Sequence, residues 1–113
     1  MSKVFIAGVG STRYGAFPEQ TVRSLSLEAV DNVLLDTGIN ADEIQKIFFA
    51  NAAAGVISQQ EMVRGQVALR NHPLAGTPLI NVENACASGS TALHLAQTAV
   101  LAGQHDLVLV VGS

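Results

Sequence analysis

Cysteine is nearly absent from this sequence, and its scarcity limits the chemistry that the chain can support. One cysteine among 113 residues cannot form an internal disulfide. Three histidines scattered along the chain, together with one thiol, do not make a cluster of metal ligands. We therefore expect a protein of a reducing compartment, by default the cytoplasm, with no metal site.

Charged residues and long apolar runs are also scarce. Six lysines and arginines are scattered along the chain without forming a basic stripe, which argues against nucleic-acid binding. The N-terminus lacks the apolar core of a signal peptide, and no segment reaches the roughly 18 apolar residues of a membrane span. No linker, repeat or low-complexity tract divides the sequence. We therefore expect part of one domain, with neither a nucleic-acid nor a membrane partner.

The apolar pattern predicts an α/β fold of order βαβαβαβ, with a mostly parallel sheet and helices on both faces. Continuous apolar runs are typical of strands that are covered on both faces, so we expect the first run to lie mid-sheet. Helical spacing predicts the helices between them. The predicted strands are Val4 to Val9, Lys46 onward, Leu79 to Val82 and Leu107 to Val111. The predicted helices are Thr21 to Gly38, Gln59 to Arg70 (Met62, Val63, Val67 and Ala68 inward) and Ala87 to Leu101.

Two patterns that resemble functional motifs are better explained as structural. Gly8 and Gly10 suggest a dinucleotide-binding G-x-G-x-x-G, but Arg13 stands where the third glycine is required. The acidic residues Glu28 and Asp31, with Asp36, fall on the outer face of the first predicted helix, where we expect them to be solvated. Neither pattern predicts a site.

The stretch from Thr77 to Ala96 is the candidate site, because it combines a short strand, a sharp turn and a helix start. Cys86 falls at that junction, at the edge of the sheet where α/β proteins bind ligands. At a helix N-terminus, unpaired backbone N–H groups and the helix dipole favour the thiolate, which is the nucleophilic form. Small residues nearby, Ala87 and Gly89, would let a substrate approach.

The residues alone leave two interpretations of Cys86 open. A single cysteine is commonly a small buried apolar residue with no chemical role. Alternatively, it is a nucleophile activated by its position.

The run Asn84-Ala-Cys-Ala-Ser-Gly-Ser-Thr-Ala-Leu resembles the nucleophilic-cysteine motif of the thiolase superfamily. Ser90 and Thr91 follow the motif glycine, which favours the branch of sterol-carrier-protein-type thiolases and archaeal acetyl-CoA acetyltransferases. The similarity extends to three predicted strands and so covers the whole chain. These are Val4-Phe-Ile-Ala-Gly-Val-Gly, Ala50-Asn-Ala-Ala-Ala-Gly and Asp106-Leu-Val-Leu-Val-Val-Gly-Ser.

The resemblance implies an acyltransferase that carries an acyl group on Cys86 as a thioester. Its substrates would be acyl-CoA and CoA, with no permanently bound cofactor, and it would cleave 3-ketoacyl-CoA or run the reverse condensation. It also implies a homo-oligomer, an approach of the helix around Arg64 to the partner subunit, and an αβαβα layering in the full-length protein. The backbone N–H of Cys86 would contribute to an oxyanion pocket. Residues that bind CoA are not identifiable.

The histidines do not complete such a site within this chain. His94 lies eight residues along the helix from Cys86, a rise of roughly 12 Å, and His105 lies beyond the far end of that helix. His72 precedes the third predicted strand, at the opposite edge of the sheet. In the resembled family, the activating histidine and a second acid–base residue come from the C-terminal half.

We therefore expect residues 1–113 to be part of one thiolase-like N-terminal domain, with the rest of that domain and the C-terminal domain absent. Because an apolar parallel strand closes the sequence, we expect a longer polypeptide or a complementing chain. Two other functions stay open: a ketoacyl synthase or hydroxymethylglutaryl-CoA synthase type of condensing enzyme, and a non-catalytic thiolase-like subunit.

Overall fold

The computed structural model describes residues 3–113, which fold as a three-stranded parallel sheet with helices on both faces. The strand order is β2-β1-β3. This agrees with the predicted α/β class and with its parallel crossovers. The elements, in chain order, are α1 (Val22–Thr37), a 3₁₀ turn (Ala41–Glu43), β1 (Lys46–Ala50), α2 (Ala54–Ser58), α3 (Arg64–Ala68), β2 (Leu79–Val82), α4 (Ser88–Leu101) and β3 (Val108–Gly112).

The central strand β1 fixes the register of the sheet. Ile47 lies opposite Leu79 of β2 and opposite Leu109 of β3. Since all three strands run the same way, their carboxyl ends meet at one edge, which carries residues 51, 83 and 113. The candidate site therefore lies on the edge that the sequence predicts.

Alternation along β1 divides the core into two layers. Ile47 and Phe49 point to one face, where they are fully buried in a cluster with Val30 of α1. Phe48 and Ala50 point to the other face and pack with alanines of α4. These small residues bring α4 close to the sheet, so the start of α4 is positioned by backbone packing.

Helix α1 begins and ends where the sequence predicts. The Thr21 hydroxyl accepts a hydrogen bond from the Ser24 N–H at 3.0 Å, and the Ser24 hydroxyl accepts one from the Thr21 N–H at 2.8 Å, which closes a capping box. Gly38 ends the helix with φ of +71°.

The predicted first strand, Val4 to Val9, is wrong: this segment forms no strand. Phe5 is 78% exposed and Ile6 is 73% exposed, and a cleft of about 590 Å³ lies between this segment and β3. Its tie to the fold is a hydrogen bond from the Val9 N–H to the Asp36 carboxylate at 2.9 Å. An extended segment becomes a strand only when a neighbour pairs with it, and no described strand lies alongside.

The predicted helix from Gln59 to Arg70 is also wrong in extent. Gln59 and Val63 adopt left-handed backbone angles, φ of +61° and +45°, which separate the short helices α2 and α3. Of the residues predicted to point inward, Met62 and Val63 are exposed, whereas Ala68 is buried in the core. Gly65 makes a further inward contact, since an added Cβ there would meet Phe49 at 2.7 Å.

Helix α4 is covered by the sheet on one face. Ala92 and Ala96 are buried against the sheet, whereas Leu93 and Leu101 are about half exposed. The described elements supply one sheet only, so the remaining apolar surface of α4 is uncovered. None of the helices in residues 3–113 is both long enough and apolar enough to cross a lipid bilayer.

Candidate active site

A tight elbow, residues 83–87, joins the carboxyl end of β2 to the start of α4. Ala85 has φ of +48°, a left-handed conformation that costs a residue with a Cβ about 1–3 kcal/mol and needs support from its surroundings. Cys86 follows directly, before the first turn of α4. The elbow therefore presents Cys86 at the sheet edge.

Hydrogen bonds within the elbow provide that support. The Glu83 carboxylate accepts from the Ala85 N–H at 2.6 Å. The Ser88 hydroxyl accepts from the Asn84 N–H at 2.8 Å and donates to the Ala85 carbonyl at 2.7 Å. The strained residue is thus held on both its N–H and its C=O sides.

The thiol of Cys86 is exposed, so within the described chain it fills no core position. The N–H groups of Cys86, Gly89 and Ser90 donate no hydrogen bond of ordinary geometry to any described residue. A Cβ added at Gly89 would meet no atom within 4 Å. An exposed sulfur thus lies next to unpaired donors and open space, which suits a nucleophile whose reaction develops negative charge.

The histidines lie away from this thiol. His72 contacts Asp31 of α1, with 2.9 Å between Nε2 and the carboxylate, so Asp31 is not merely solvated as the sequence analysis expected. His94 lies in the second turn of α4 and His105 follows that helix. No described hydrogen bond links any of the three to Cys86.

A second polar group lies at the carboxyl end of β1, on the same edge. Asn51 is buried and donates from its amide to the Ser113 carbonyl at 2.6 Å, while its side-chain oxygen accepts from the Ala54 N–H at 2.9 Å. Arg64 donates to the Asn51 carbonyl at 3.0 Å. Arg64 is therefore engaged within its own chain, and its predicted approach to a partner subunit stays a prediction.

The sequence singles out Cys86 as a candidate but does not indicate the residues that hold it. In the sequence, Ser88 is one of many small residues, and its two backbone hydrogen-bond partners are known only from the folded elbow. Asn51 follows a buried strand, a position that predicts a polar group at the sheet edge. Nothing in the sequence predicts the conformation of Ala85, because alanine rarely adopts a left-handed backbone.

Comparison with known proteins now identifies the family. The family model for the thiolase N-terminal domain matches residues 4–113. The chain belongs to the thiolase family. That match covers the elbow, Cys86 and all three strands of the sheet.

Curated thiolase relatives match nearly the whole chain. The acetyl-CoA acetyltransferase of Methanocaldococcus jannaschii is 38% identical, over 99% of this chain and 28% of its own length. A benzoylsuccinyl-CoA thiolase subunit of Thauera aromatica is 34% identical, over 97% of this chain and 27% of its own length. Sterol carrier protein 2 of Gallus gallus is 33% identical, over 97% of this chain and 20% of its own length. The chain thus spans less than a third of the length of these relatives.

Proposed function

We propose that this chain is the N-terminal portion of a thiolase-type acyltransferase in which Cys86 carries the acyl group. The observation that supports this most directly is the exposed thiol between β2 and α4, next to unpaired backbone N–H groups. Membership of the thiolase family supports the reaction class. Two similar proteins are named for acetyl-CoA and benzoylsuccinyl-CoA, which supports CoA thioesters as substrates.

In the proposed reaction, the Cys86 thiolate attacks an acyl carbonyl. When acyl-CoA is the donor, the bond from the carbonyl carbon to the CoA sulfur breaks, and CoA leaves as a thiolate that takes up a proton. When 3-ketoacyl-CoA is the donor, the C2–C3 bond breaks instead, and the acetyl-CoA carbanion takes up the proton. Either path leaves an acyl thioester on Cys86 and develops negative charge on the carbonyl oxygen, which the Cys86 N–H is available to bind.

The second half of the reaction releases the acyl group. Attack by the thiol of CoA completes thiolytic cleavage and gives a new acyl-CoA. Attack by the carbanion of a second acyl-CoA gives the reverse condensation. In both cases the Cys86 thiolate is regenerated, so the protein needs no permanently bound cofactor.

The groups that move these protons lie outside the described residues in this proposal. His94 is the histidine nearest in sequence, and eight residues of helix place it roughly 12 Å along the axis from Cys86. A general acid or base must lie within about 3 Å of the proton that it transfers. We therefore propose that residues 1–113 are part of one thiolase N-terminal domain and are not competent alone. The remaining groups would come from further residues of a longer polypeptide or from a complementing chain.

The uncovered apolar surface of α4 supports an oligomeric or complemented state. An exposed free thiol suits a reducing compartment, and we propose the cytoplasm.

Acylation of Cys86 tests the proposed function. The complete polypeptide is incubated with acetyl-CoA or acetoacetyl-CoA, quenched in acid, and digested for mass spectrometry. We expect one acetyl group on the peptide that contains Cys86, and its removal by added CoA. Cys86→Ser is the matched control, since it keeps the shape of the side chain but should abolish turnover. Acylation at another residue, or turnover by Cys86→Ala, would contradict the proposal.

A further inference from the structure

We infer that Ser88 is a positioning residue for Cys86, an inference that rests on the proposed acyl transfer. Ser88 is buried, with 6% of the residue exposed, although the residues of the elbow around it are exposed. Burial restricts the position of Ser88, which lies next to the connection between β2 and Cys86.

The Ser88 hydroxyl bridges the two sides of the strained residue. It accepts the Asn84 N–H at 2.8 Å and donates to the Ala85 carbonyl at 2.7 Å. Both distances lie in the ordinary range for hydrogen bonds of their kind, and a hydroxyl is the smallest group that donates and accepts at once. The carbonyl carbon of Ala85 is bonded to the nitrogen of Cys86. The Ser88 hydroxyl, together with the Ser88 N–H, which donates to the same carbonyl at 3.2 Å, therefore sets the orientation of the peptide group from which Cys86 extends.

The same peptide group carries the Cys86 N–H, the donor proposed for the oxyanion. A peptide unit is planar, so turning its carbonyl turns its N–H by the same angle. By holding the Ala85 carbonyl, Ser88 therefore fixes the direction of the Cys86 N–H together with the start of its side chain. Ser88 touches neither substrate nor sulfur in this role.

Loss of the hydroxyl should lower the rate of acylation even under conditions where the variant stays folded. Misplacement of a reacting group by about 1 Å costs on the order of 10²-fold in rate. An elbow that has lost the hydrogen bonds of the Ser88 hydroxyl should be displaced less, so we expect a loss of roughly tenfold in the rate of acylation. Thr98→Ala is the matched control. Thr98 also lies on α4, but it is exposed, it is remote from the elbow, and its hydroxyl donates to the His94 carbonyl at 3.0 Å.

The test compares single-turnover acylation of Cys86 by acetyl-CoA in the complete polypeptide, at a temperature where all variants are folded. We expect Ser88→Ala to react roughly tenfold more slowly and Ser88→Thr, which keeps the hydroxyl, to recover most of the rate. Thr98→Ala should stay within about twofold of the unmodified protein. Saturation with acetyl-CoA should show the loss in the maximal rate constant, at full amplitude and with the same concentration for half-saturation. A smaller folded fraction would lower the amplitude of acylation instead.

Two outcomes separate this inference from the proposed function. If the unmodified protein is acylated at Cys86 and Ser88→Ala reacts equally fast, the positioning role is wrong and the acyl transfer stands. If acetyl-CoA does not acylate the unmodified protein, the acyl-transfer proposal fails. The alkylation rate of Cys86 with iodoacetamide then tests the positioning role, because an equal rate in Ser88→Ala would overturn it.

Amide hydrogen exchange gives a second test that needs no variant to fold. Asn84 is exposed, yet its N–H is bonded to the Ser88 hydroxyl, so we expect slow exchange at Asn84 in the unmodified protein. Exchange at the rate of an unbonded amide would show that the bridge does not persist in solution and would overturn the inference.

Discussion

Arg64 donates from one guanidinium nitrogen to two oxygens of Asn51, the backbone carbonyl at 3.0 Å and the side-chain oxygen at 3.2 Å. Its Nε also donates to the Gln60 carbonyl at 3.1 Å. One side chain thus joins the carboxyl end of β1 to the connection between α2 and α3. The connection between α2 and α3 has irregular backbone and lacks the hydrogen bonds of a regular helix. Arg64 compensates by binding carbonyl oxygens at both of its ends.

Replacement of Arg64 by Lys should therefore destabilise the domain. A lysine keeps the charge but cannot reproduce the fixed geometry of three bonds, and we expect a loss of about 1–3 kcal/mol in the free energy of unfolding. Urea unfolding followed by circular dichroism measures it. Arg70→Lys is the control, since Arg70 is exposed and donates from Nη1 to the Val67 carbonyl. An equal effect of the two substitutions would contradict a stabilising role for the Arg64 hydrogen bonds.

Gly65 is the position where the sheet tolerates no side chain. An added Cβ would lie 2.7 Å from both Phe49 and Leu79, so Gly65→Ala should cost about 1–3 kcal/mol through overpacking. Gly89→Ala should instead stabilise α4 by up to about 1 kcal/mol, because its site is open and alanine favours helix. Thermal unfolding of both variants checks the opposite signs. A stable Gly65→Ala would show that α3 can move away from the sheet.

The two ring nitrogens of His72 have different partners, which gives a paired prediction. Nδ1 accepts the Leu74 N–H at 3.1 Å, so Nε2 carries the proton toward Asp31. His72→Asn keeps an acceptor near Nδ1 and should cost less than about 1 kcal/mol, since Asp31 is largely exposed. His72→Gln leaves the Leu74 N–H unpaired and should cost about 1–3 kcal/mol. Chemical denaturation ranks them, and the reverse order would contradict this tautomer.

Residues 1–113 expressed alone should associate. Leu95 and Leu101 of α4 are 38% and 48% exposed, and no described element covers that surface, so we expect concentration-dependent oligomers in sedimentation velocity. Leu101→Lys should weaken association. Leu35→Lys is the control, because Leu35 is a single exposed leucine on α1. A monomer at all concentrations would show that this surface needs no cover.

The sequence predicts elements well where the signal is local. Thr21 and Gly38 bound α1 because capping chemistry depends only on nearby residues. Leu79 to Val82 and the strand near Val110 follow from apolar runs bounded by turns. The sequence also indicates Cys86, because its position between a strand and a helix is a local property.

Elements that depend on distant partners were predicted poorly. The run from Val4 to Val9 has the composition of a buried strand, but composition does not say which strand would pair with it. The break at Val63 needs a left-handed backbone that its β-branched side chain disfavours. The bridge made by Ser88 depends on a turn whose shape the sequence does not reveal.

The order β2-β1-β3 also has a consequence for synthesis on the ribosome. Of the three described strands, the one synthesised first, Lys46–Ala50, becomes the middle strand, and both of its described neighbours come later in the chain. Nearly thirty residues separate Ala50 from Leu79, so at translation rates of about 5–20 residues per second an apolar strand waits for seconds with both edges unpaired. Nascent chains of this protein should therefore depend on chaperones that shield extended apolar segments until the second strand emerges.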